Sequence, residues 1–280
     1  MKTGLVLGFF DGVHLAHQEV IKSALDYAEN VCVITFNSSP AEFFGKDYKY
    51  IYPRNKSVTK IKSLGVKNVI ELNFSDIVCL PAEKYLEKII ADYSPCSIST
   101  GFNHTFGKNR VGNAEFLQKN SQKYGYKYFC IPAMKCDDRI ISSTYIKELL
   151  SKGNIKTANK LLGSNFSISG RVIEGAKLGR TIGFPTANIK YPSKIIEIPY
   201  GVYATKINNY VGVLNWGMKP TVNNIQEPLA EVHILNYNGN LYGKEIEIEI
   251  LDKLRDEQKF RSLEELKLQI EKDIEACLKL

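Results

Sequence analysis

Residues 8–18 read GFFDGVHLAHQ, and this stretch decides how the first half of the chain folds. It begins inside an apolar run, residues 5–10, of the kind that forms a strand buried on both faces. Apolar residues then recur at helical spacing, and residues 31–36 form a second apolar run. The order strand, glycine-containing turn, helix and strand predicts one βαβ unit.

The same alternation continues along the chain to about residue 132. Strands that alternate with helices indicate a parallel sheet covered on both faces, and such sheets bind ligands beyond the carboxyl ends of their strands. Two short helices follow and are closed by Gly153 and Gly163. The sequence therefore predicts a Rossmann-like α/β domain at residues 1–165, with residues 8–18 at a ligand-binding edge.

The pattern changes after residue 165 to closely spaced, strand-like segments that are typical of a small antiparallel barrel or sandwich. Asn208-Asn209 and Asn238-Gly239 are predicted hairpin turns. A final helix begins at a capping box formed by Ser262 and Glu265. One face of this helix carries Leu263, Leu266, Ile270 and Ile274. The fold class is thus α/β followed by β, with the second domain at residues 166–280.

Composition excludes some classes of protein and leaves others open. The formal net charge of +7 favours anionic partners, including nucleotides, nucleic acids and acidic surfaces. Residues 48–56, YKYIYPRNK, are the densest basic and aromatic stretch, which is either a nucleic-acid contact or a solvated loop. Six scattered cysteines without zinc-like spacing and the absence of a long apolar segment favour a cytoplasmic protein with no membrane partner.

His14 and His17 lie three residues apart where the loop becomes a helix. Both can face the helix N-terminus, whose free amides and dipole attract anions. Gly8 and Gly12 allow the backbone to turn and approach a ligand closely. The residues favour a phosphate site with imidazole donors, and they leave open a metal pair or two locally hydrogen-bonded histidines.

Four motifs resemble those of the bacterial bifunctional riboflavin kinase/FMN adenylyltransferases, often called FAD synthetases, whose first module is a nucleotidyltransferase. GFFDGVHLAHQ resembles G-x-F-D-G-V-H-x-G-H, and residues 34–44, ITFNSSPAEFF, lie where the family carries a flavin-contacting segment. Residues 101–113 resemble G-x-D-F-R-F-G-x-x-R-x-G, and residues 141–147 resemble I-S-S-T-x-I-R. The resemblance implies transfer of AMP from ATP to FMN, with FAD as product.

By this resemblance, His14 and His17 are catalytic residues that contact the ATP phosphates. The remaining nucleotide contacts that the resemblance implies are Gly8, Phe10, Asp11, Asn103, Ser142, Ser143, Thr144 and Lys147. Four departures affect this module: Ala16 replaces a glycine, Lys147 replaces an arginine, residues 103–105 read NHT in place of D-F-R, and residues 37–39 alter the family's proline-rich segment. Because lysine lacks the bidentate fork of arginine, a slow or inactive adenylyltransferase is the alternative.

Residues 170–189, GRVIEGAKLGRTIGFPTANI, carry several glycines followed by Thr186 and Asn188. Because glycine has no side chain, backbone amides at glycines can approach phosphates, and hydroxyl and amide oxygens are hard ligands that Mg²⁺ accepts. The residues therefore favour a phosphate and Mg²⁺ site, and the alternative is a glycine-rich turn that binds no ligand. The string resembles the riboflavin kinase signature G-x-x-x-G-R-x-x-G-F-P-T-A-N. The resemblance implies Mg²⁺ at Thr186 and Asn188, and ATP contacts at Gly175, Gly179, Gly183, Pro185, Thr186 and Asn188.

Two residues further along the second domain complete the implied kinase site. By resemblance, Glu231 is the base for the 5′-hydroxyl of riboflavin, and Arg255 binds the flavin. From the residues alone, Glu231 is an exposed charge on an alternating strand and Arg255 a surface ion-pair residue. The leading expectation is a two-site enzyme with riboflavin, FMN, FAD and ATP as its partners. The alternatives are a riboflavin kinase with an inactive first domain and a non-enzymatic nucleotide- or flavin-binding regulator, and the oligomeric state is undetermined.

Overall fold

The structure is a computed structural model that describes residues 2–175, 178–220 and 226–280. The chain divides into two compact units, Met1–Tyr145 and Ile146–Leu280. In the described residues, no helix has the length and apolar character needed to cross a membrane. The six cysteines are free thiols, and two of them, Cys32 and Cys277, are buried.

The first unit is built on a five-stranded sheet in which every neighbouring pair is parallel, as predicted. The strands are β1 (Thr3–Leu7), β2 (Asn30–Phe36), β3 (Asn68–Leu72), β4 (Ser97–Gly101) and β5 (Lys127–Ile131). Their order is β3-β2-β1-β4-β5, so the direction of winding reverses between β1 and β4. Ligands of open α/β sheets bind in the crevice at such a switch point, and GFFDGVHLAHQ follows β1.

Helices cover this sheet on both faces. They are α1 (Leu15–Leu25), α2 (Pro40–Phe43), α3 (Arg54–Ser63), α4 (Phe74–Ile77), α5 (Ala82–Tyr93) and α6 (Ala114–Tyr124), with a 3₁₀ turn at Lys108–Arg110. Adjacent residues of β1 belong to different cores, since Leu5 packs in one cluster and Val6 in the other. Burial on both faces explains why the strands appear as continuous apolar runs.

A small hairpin, β6 (Lys135–Cys136) and β7 (Arg139–Ile140), precedes α7 (Ser143–Ser151) and α8 (Ile155–Leu162). Helix α8 ends at Gly163, which adopts the predicted left-handed conformation. The Asn159 side chain donates to the carbonyl of Ile250 and accepts from the Phe166 amide. Packing therefore groups α8 with the second unit, whereas the sequence predicts a domain boundary near residue 165.

The second unit is a closed, antiparallel, six-stranded barrel. Its elements are β8 (Phe166–Ile173), α9 (Leu178–Thr181), β9 (Thr186–Lys190), β10 (Gly201–Ile207), β11 (Tyr210–Pro220), β12 (Gln226–Ile234), β13 (Glu245–Arg255) and α10 (Leu263–Leu278). The strand order around the barrel is β10-β11-β12-β9-β8-β13. Closure removes the open edges that a small sheet would otherwise expose.

Two details of the barrel differ from the sequence-based expectations. The predicted hairpin turn at Asn238-Gly239 is wrong, because β12 pairs with β9 and β11 while β13 pairs with β8 and β10. Strand β9 was not predicted, since its residues lie within the glycine-rich motif. The other predicted turn, at Asn208-Asn209, does join the paired strands β10 and β11.

Candidate active sites

The loop that follows β1 has a strained backbone. Phe10, Gly12 and Val13 have φ angles of 55°, 80° and 48°. Positive φ is costly for phenylalanine and valine, and it persists where the surrounding structure holds it, most often at functional sites. Phe10 itself is 1% exposed and packs on the ring of His17, so only its backbone can face a ligand.

His14 is the N-cap residue of α1, and its Nδ1 accepts a 3.4 Å hydrogen bond from the backbone amide of His17. The two imidazoles stack with centroids 3.6 Å apart. Burial lowers the pKa of His14 to about 4 and the pKa of His17 well below its usual value. Both rings are therefore neutral near pH 7. Since His14 Nδ1 is an acceptor, its proton lies on Nε2, where it can be donated to an anion.

The start of α7 is tied to this loop within the first unit. The Ser143 hydroxyl donates to the carbonyl of Asp11 at 2.8 Å, and Ser142 Oγ accepts from the Tyr145 amide. Thr144 is exposed. Two of the three hydroxyls that were predicted to hold phosphate thus make hydrogen bonds within the protein. The Ser143 bond ties the start of α7 to the strained loop, whereas the Ser142 bond is local to the helix start.

Other predicted nucleotide contacts have different surroundings. The Asp11 carboxylate is 1% exposed and accepts from Tyr48 Oη at 2.8 Å and from the Ile51 amide at 2.9 Å. Its contacts in the structure therefore hold the chain in place. Asn103 is exposed just beyond β4, on the far side of the switch point from the histidines. Gly8 is half-buried, and a Cβ there would lie 2.8 Å from the Phe10 ring.

In the barrel, strand pairing brings together residues that are distant in sequence. Glu231 on β12 lies directly opposite Asn188 on β9 and Asn215 on β11. Opposite residues of antiparallel strands share a face, and Thr186, two residues from Asn188, shares it as well. The neighbouring Ala187, Ala230 and Val232 are buried. One face of three adjacent strands thus presents a carboxylate, a hydroxyl and two amides.

Asn188 meets the requirements of a metal ligand. It is 4% exposed, and its Oδ1 has no hydrogen-bond partner among the residues that the structure describes. A buried carbonyl oxygen without a partner is costly, and a cation is one group that would satisfy it. Gly175 approaches so closely that a Cβ there would lie 2.3 Å from Asn188 Nδ2. Among the described residues, no group of three or more His, Cys, Asp or Glu could hold a metal.

A cavity of about 320 Å³ opens next to Thr186. Its lining includes Arg180, Pro185 and Thr186 from the glycine-rich motif, together with Tyr237 and Asn240. The turn that leads into β9 is tight, because the Phe184 amide donates to the Gly179 carbonyl at 2.8 Å, and a Cβ at Gly179 would meet Phe184 O at 2.3 Å. Gly183 has a φ of 93° and is exposed.

Sequence reasoning missed His233 as a residue of this site. It lies opposite Thr186 in the β9–β12 ladder, and its Nδ1 is 2.8 Å from the Pro185 carbonyl. Its ring contacts Phe184 edge to face. The available signal was its spacing, since His233 alternates with Glu231 and so shares that face of the strand.

Arg255 is engaged by the protein itself. Its guanidinium contacts both carboxylate oxygens of Asp273 on α10, with Nη2 at 2.8 Å and Nε at 3.0 Å from the two oxygens. Asp273 is 4% exposed, and its Oδ1 also accepts from Gln269. The ion pair is therefore largely buried, and the contact of Arg255 with flavin stays a prediction.

A helix N-terminus with two stacked imidazoles in one fold and a glycine-rich turn in the other are typical of an enzyme with two phosphate-binding sites. A family model described as FAD synthetase matches residues 1–145, and one described as riboflavin kinase matches residues 162–280. The chain belongs to the bifunctional riboflavin kinase/FMN adenylyltransferase family.

Individual relatives agree over nearly the whole chain. The bifunctional riboflavin kinase/FMN adenylyltransferase of Haemophilus influenzae is 37% identical, with 98% of this chain and 92% of the relative covered. The relative of the same name from Bacillus subtilis is 35% identical, with 99% and 92% covered. A crystal structure described as a macrolide-efflux protein from Streptococcus pneumoniae is 31% identical with a TM-score of 0.90, covering 100% of this chain and 94% of that one.

Proposed function

We propose that the chain phosphorylates riboflavin to FMN with ATP at the barrel and transfers AMP from a second ATP to FMN at the α/β domain. The kinase is assigned to the predicted domain at residues 166–280 and the adenylyltransferase to residues 1–165. The family comparisons favour two activities over a kinase with an inactive first domain. They also do not favour a non-enzymatic regulator.

The shared face of Glu231, Asn188 and Thr186 carries the kinase proposal. Glu231 accepts the proton of the 5′-hydroxyl of riboflavin as that oxygen attacks the γ-phosphorus of ATP, the bond from that phosphorus to the β,γ-bridging oxygen breaks, and ADP leaves. Thr186 and Asn188 would hold Mg²⁺, which supplies positive charge to the transferring phosphoryl group. The backbone at Gly175, Gly179, Gly183 and Pro185 admits the ATP phosphates, and the cavity lined by Arg180, Pro185 and Thr186 accepts the nucleoside.

The stacked pair of neutral imidazoles carries the adenylyltransferase proposal. The phosphate of FMN is already an anion, so its attack on the α-phosphorus of ATP needs no strong base. His14 Nε2–H and the ring of His17 donate to the triphosphate at the N-terminus of α1. Pyrophosphate leaves as the new phosphoanhydride bond of FAD forms. Gly8, Phe10 and Asp11 contribute through the loop backbone, and Asn103, Thr144 and Lys147 are proposed further contacts.

One incubation tests both activities. The purified chain is mixed with riboflavin, ATP and Mg²⁺, and the flavins are resolved by chromatography. FAD is the expected product. FMN alone would support the single-activity alternative, and unchanged riboflavin would contradict both enzymatic proposals.

Two substitutions then assign each activity to its site. His17→Ala removes a phosphate donor and is expected to lower FAD formation about a hundredfold or more while leaving FMN formation intact. Glu231→Gln is expected to stop FMN formation and to leave the conversion of supplied FMN to FAD intact. Matched loss of both activities from either substitution would contradict two separate sites.

A further inference from the structure

Residues 48–56, YKYIYPRNK, form the basic and aromatic segment for which the sequence left a nucleic-acid contact or a solvated loop open. In the structure Tyr48 is half-buried, whereas Tyr50 is 5% exposed and Tyr52 is fully buried. Ile51 between them is also fully buried. Two of the three rings therefore offer no face on which bases could stack. The polar atoms of the segment instead bond to two neighbouring parts of the first unit.

The first set of bonds reaches the loop that leads to His14. Tyr48 Oη donates to one carboxylate oxygen of Asp11 at 2.8 Å, and the Ile51 amide donates to the other at 2.9 Å. Asp11 lies between Phe10 and Gly12, both of which have positive φ. Holding its carboxylate on two sides therefore fixes the strained loop and, three residues later, the N-cap of α1.

The second set of bonds reaches the segment at the carboxyl end of β2. Tyr50 Oη accepts from the Ser39 amide at 2.9 Å and donates to the carboxylate of Glu42. Ser39 and Glu42 form the capping box of α2, so Tyr50 holds the start of that helix. This helix belongs to residues 34–44, which the resemblance assigns to the flavin.

Side-chain packing joins the two sets of bonds. The rings of Tyr48 and Tyr50 lie 4.9 Å apart, and both contact the ring of Phe9. Arg54 donates to the Phe9 carbonyl at 3.1 Å and to Thr35 Oγ1 at 3.2 Å, and it stacks over the Phe9 ring. Thr35 lies at the end of β2, so Arg54 bridges the ends of β1 and β2.

We propose that Tyr48 and Tyr50 are positioning residues that hold the ATP side and the FMN side of the adenylyltransferase site in a fixed relation. The inference rests on the proposed function, since it requires both substrates at this edge of the sheet. Tyr48 acts on the nucleotide through Asp11, and Tyr50 acts on the flavin through Ser39 and Glu42. Transfer depends on placing the FMN phosphate in line with the α-phosphorus, so we expect transfer to slow when the relation between the two sides is disturbed.

Single removal of each hydroxyl tests this division. Tyr48→Phe is expected to raise the KM for ATP roughly tenfold with little change in the KM for FMN, because Asp11 loses one of its donors. Tyr50→Phe is expected to raise the KM for FMN with little change in the KM for ATP. The double variant is expected to lower kcat below that of either single variant, as the two substrates lose their alignment.

Tyr126→Phe is the matched control, because Tyr126 is buried in the same unit and its hydroxyl donates to the Leu117 carbonyl away from this segment. It loses the same kind of bond and is expected to keep both KM values. The kinase activity of every variant reports on the rest of the chain. Equal KM values in Tyr48→Phe, Tyr50→Phe and the wild type would overturn the inference, and so would the same KM changes in Tyr126→Phe. A wild type that makes no FAD from FMN and ATP would instead overturn the proposed function, and the inference with it.

Discussion

Asn188 carries a buried oxygen that lacks a hydrogen-bond partner in the described part of the chain. Leaving such a buried oxygen unsatisfied costs about 1–3 kcal/mol of stability, so Asn188 at this position is better explained by function than by folding. Asn188→Ala is expected to lower FMN formation about a hundredfold or more, since a proposed ligand of the Mg²⁺ that would neutralise the transferring phosphoryl group is lost. The free energy of unfolding is expected to change by less than about 1 kcal/mol, because loss of the unsatisfied oxygen offsets the small cavity.

Thr205→Val is the matched control for this prediction. Thr205 is fully buried in the same barrel, and its Oγ1 also lacks a hydrogen-bond partner among the described residues. The variant is expected to unfold at the same or a higher temperature with unchanged FMN formation. A large loss of stability in Asn188→Ala, with activity retained, would show that Asn188 serves the fold.

Arg255 and Asp273 form a nearly buried ion pair that joins the end of β13 to α10. Arg255→Met leaves the Asp273 carboxylate buried without its cation, which is expected to cost about 3–5 kcal/mol of unfolding free energy. Arg255→Met combined with Asp273→Leu is expected to recover most of that loss. Denaturant unfolding of the two single variants and the double variant measures the coupling.

The same double variant tests the predicted flavin contact of Arg255. If Arg255 contacts riboflavin, the KM for riboflavin is expected to rise in the double variant even though its stability is restored. If Arg255 only anchors α10, the KM stays near that of the wild type. A single substitution could not separate these two roles, because it disturbs the helix as well as the site.

Helix α10 shows how far periodicity predicts packing. The apolar spacing predicted a face of Leu263, Leu266, Ile270 and Ile274, and the last three are half-buried as expected. Leu263 is 59% exposed, however, and the charged Asp273 is buried. Helical periodicity cannot predict that Asp273 is buried, because its ion-pair partner, Arg255, lies on β13.

Strand pairing is the larger part of what the sequence could not reveal. The parallel sheet was predictable, since alternation of buried strands and helices permits few other arrangements. The order of strands in the barrel was not predictable, because no local sequence feature indicates that β12 pairs with β9 or that β13 pairs with β8 and β10. The proposed kinase site depends on that pairing, which places Glu231 opposite Asn188. Motif resemblance named both residues, and only the register places them on one face.

The two units of the molecule are expected to respond differently to acid. Three of the four histidines, His14, His17 and His104, lie in the first unit, and burial lowers the pKa of each. For His14 and His104 the folded pKa is about 4, against about 6.5 in the unfolded chain. The unfolded state therefore binds more protons between pH 6.5 and 4, and the stability of the first unit falls as the pH drops through that window. For His14 alone, the loss is on the order of 3 kcal/mol.

The chain's single tryptophan allows the units to be followed separately. Trp216 is fully buried in the barrel, so its fluorescence reports on the second unit, whereas circular dichroism reports on both. Thermal unfolding at pH 7.5 and pH 5 is expected to show a dichroism transition that moves to lower temperature in acid, with a smaller shift of the Trp216 signal. Parallel shifts of the two signals would contradict unequal acid sensitivity of the units.

His104→Phe isolates the contribution of one buried imidazole. Nε2 of His104 is buried with no hydrogen-bond partner in the described residues, and its ring stacks on Phe106. Phenylalanine keeps the ring stacking and removes the unsatisfied nitrogen. It also removes an imidazole that, in acid, must lose a proton when the chain folds. The variant is expected to stabilise the first unit by about 1–2 kcal/mol at pH 7.5 and by more at pH 5, where the imidazole of the unfolded wild type is charged. Equal stabilisation at the two pH values would show that packing, and not proton binding, makes His104 costly.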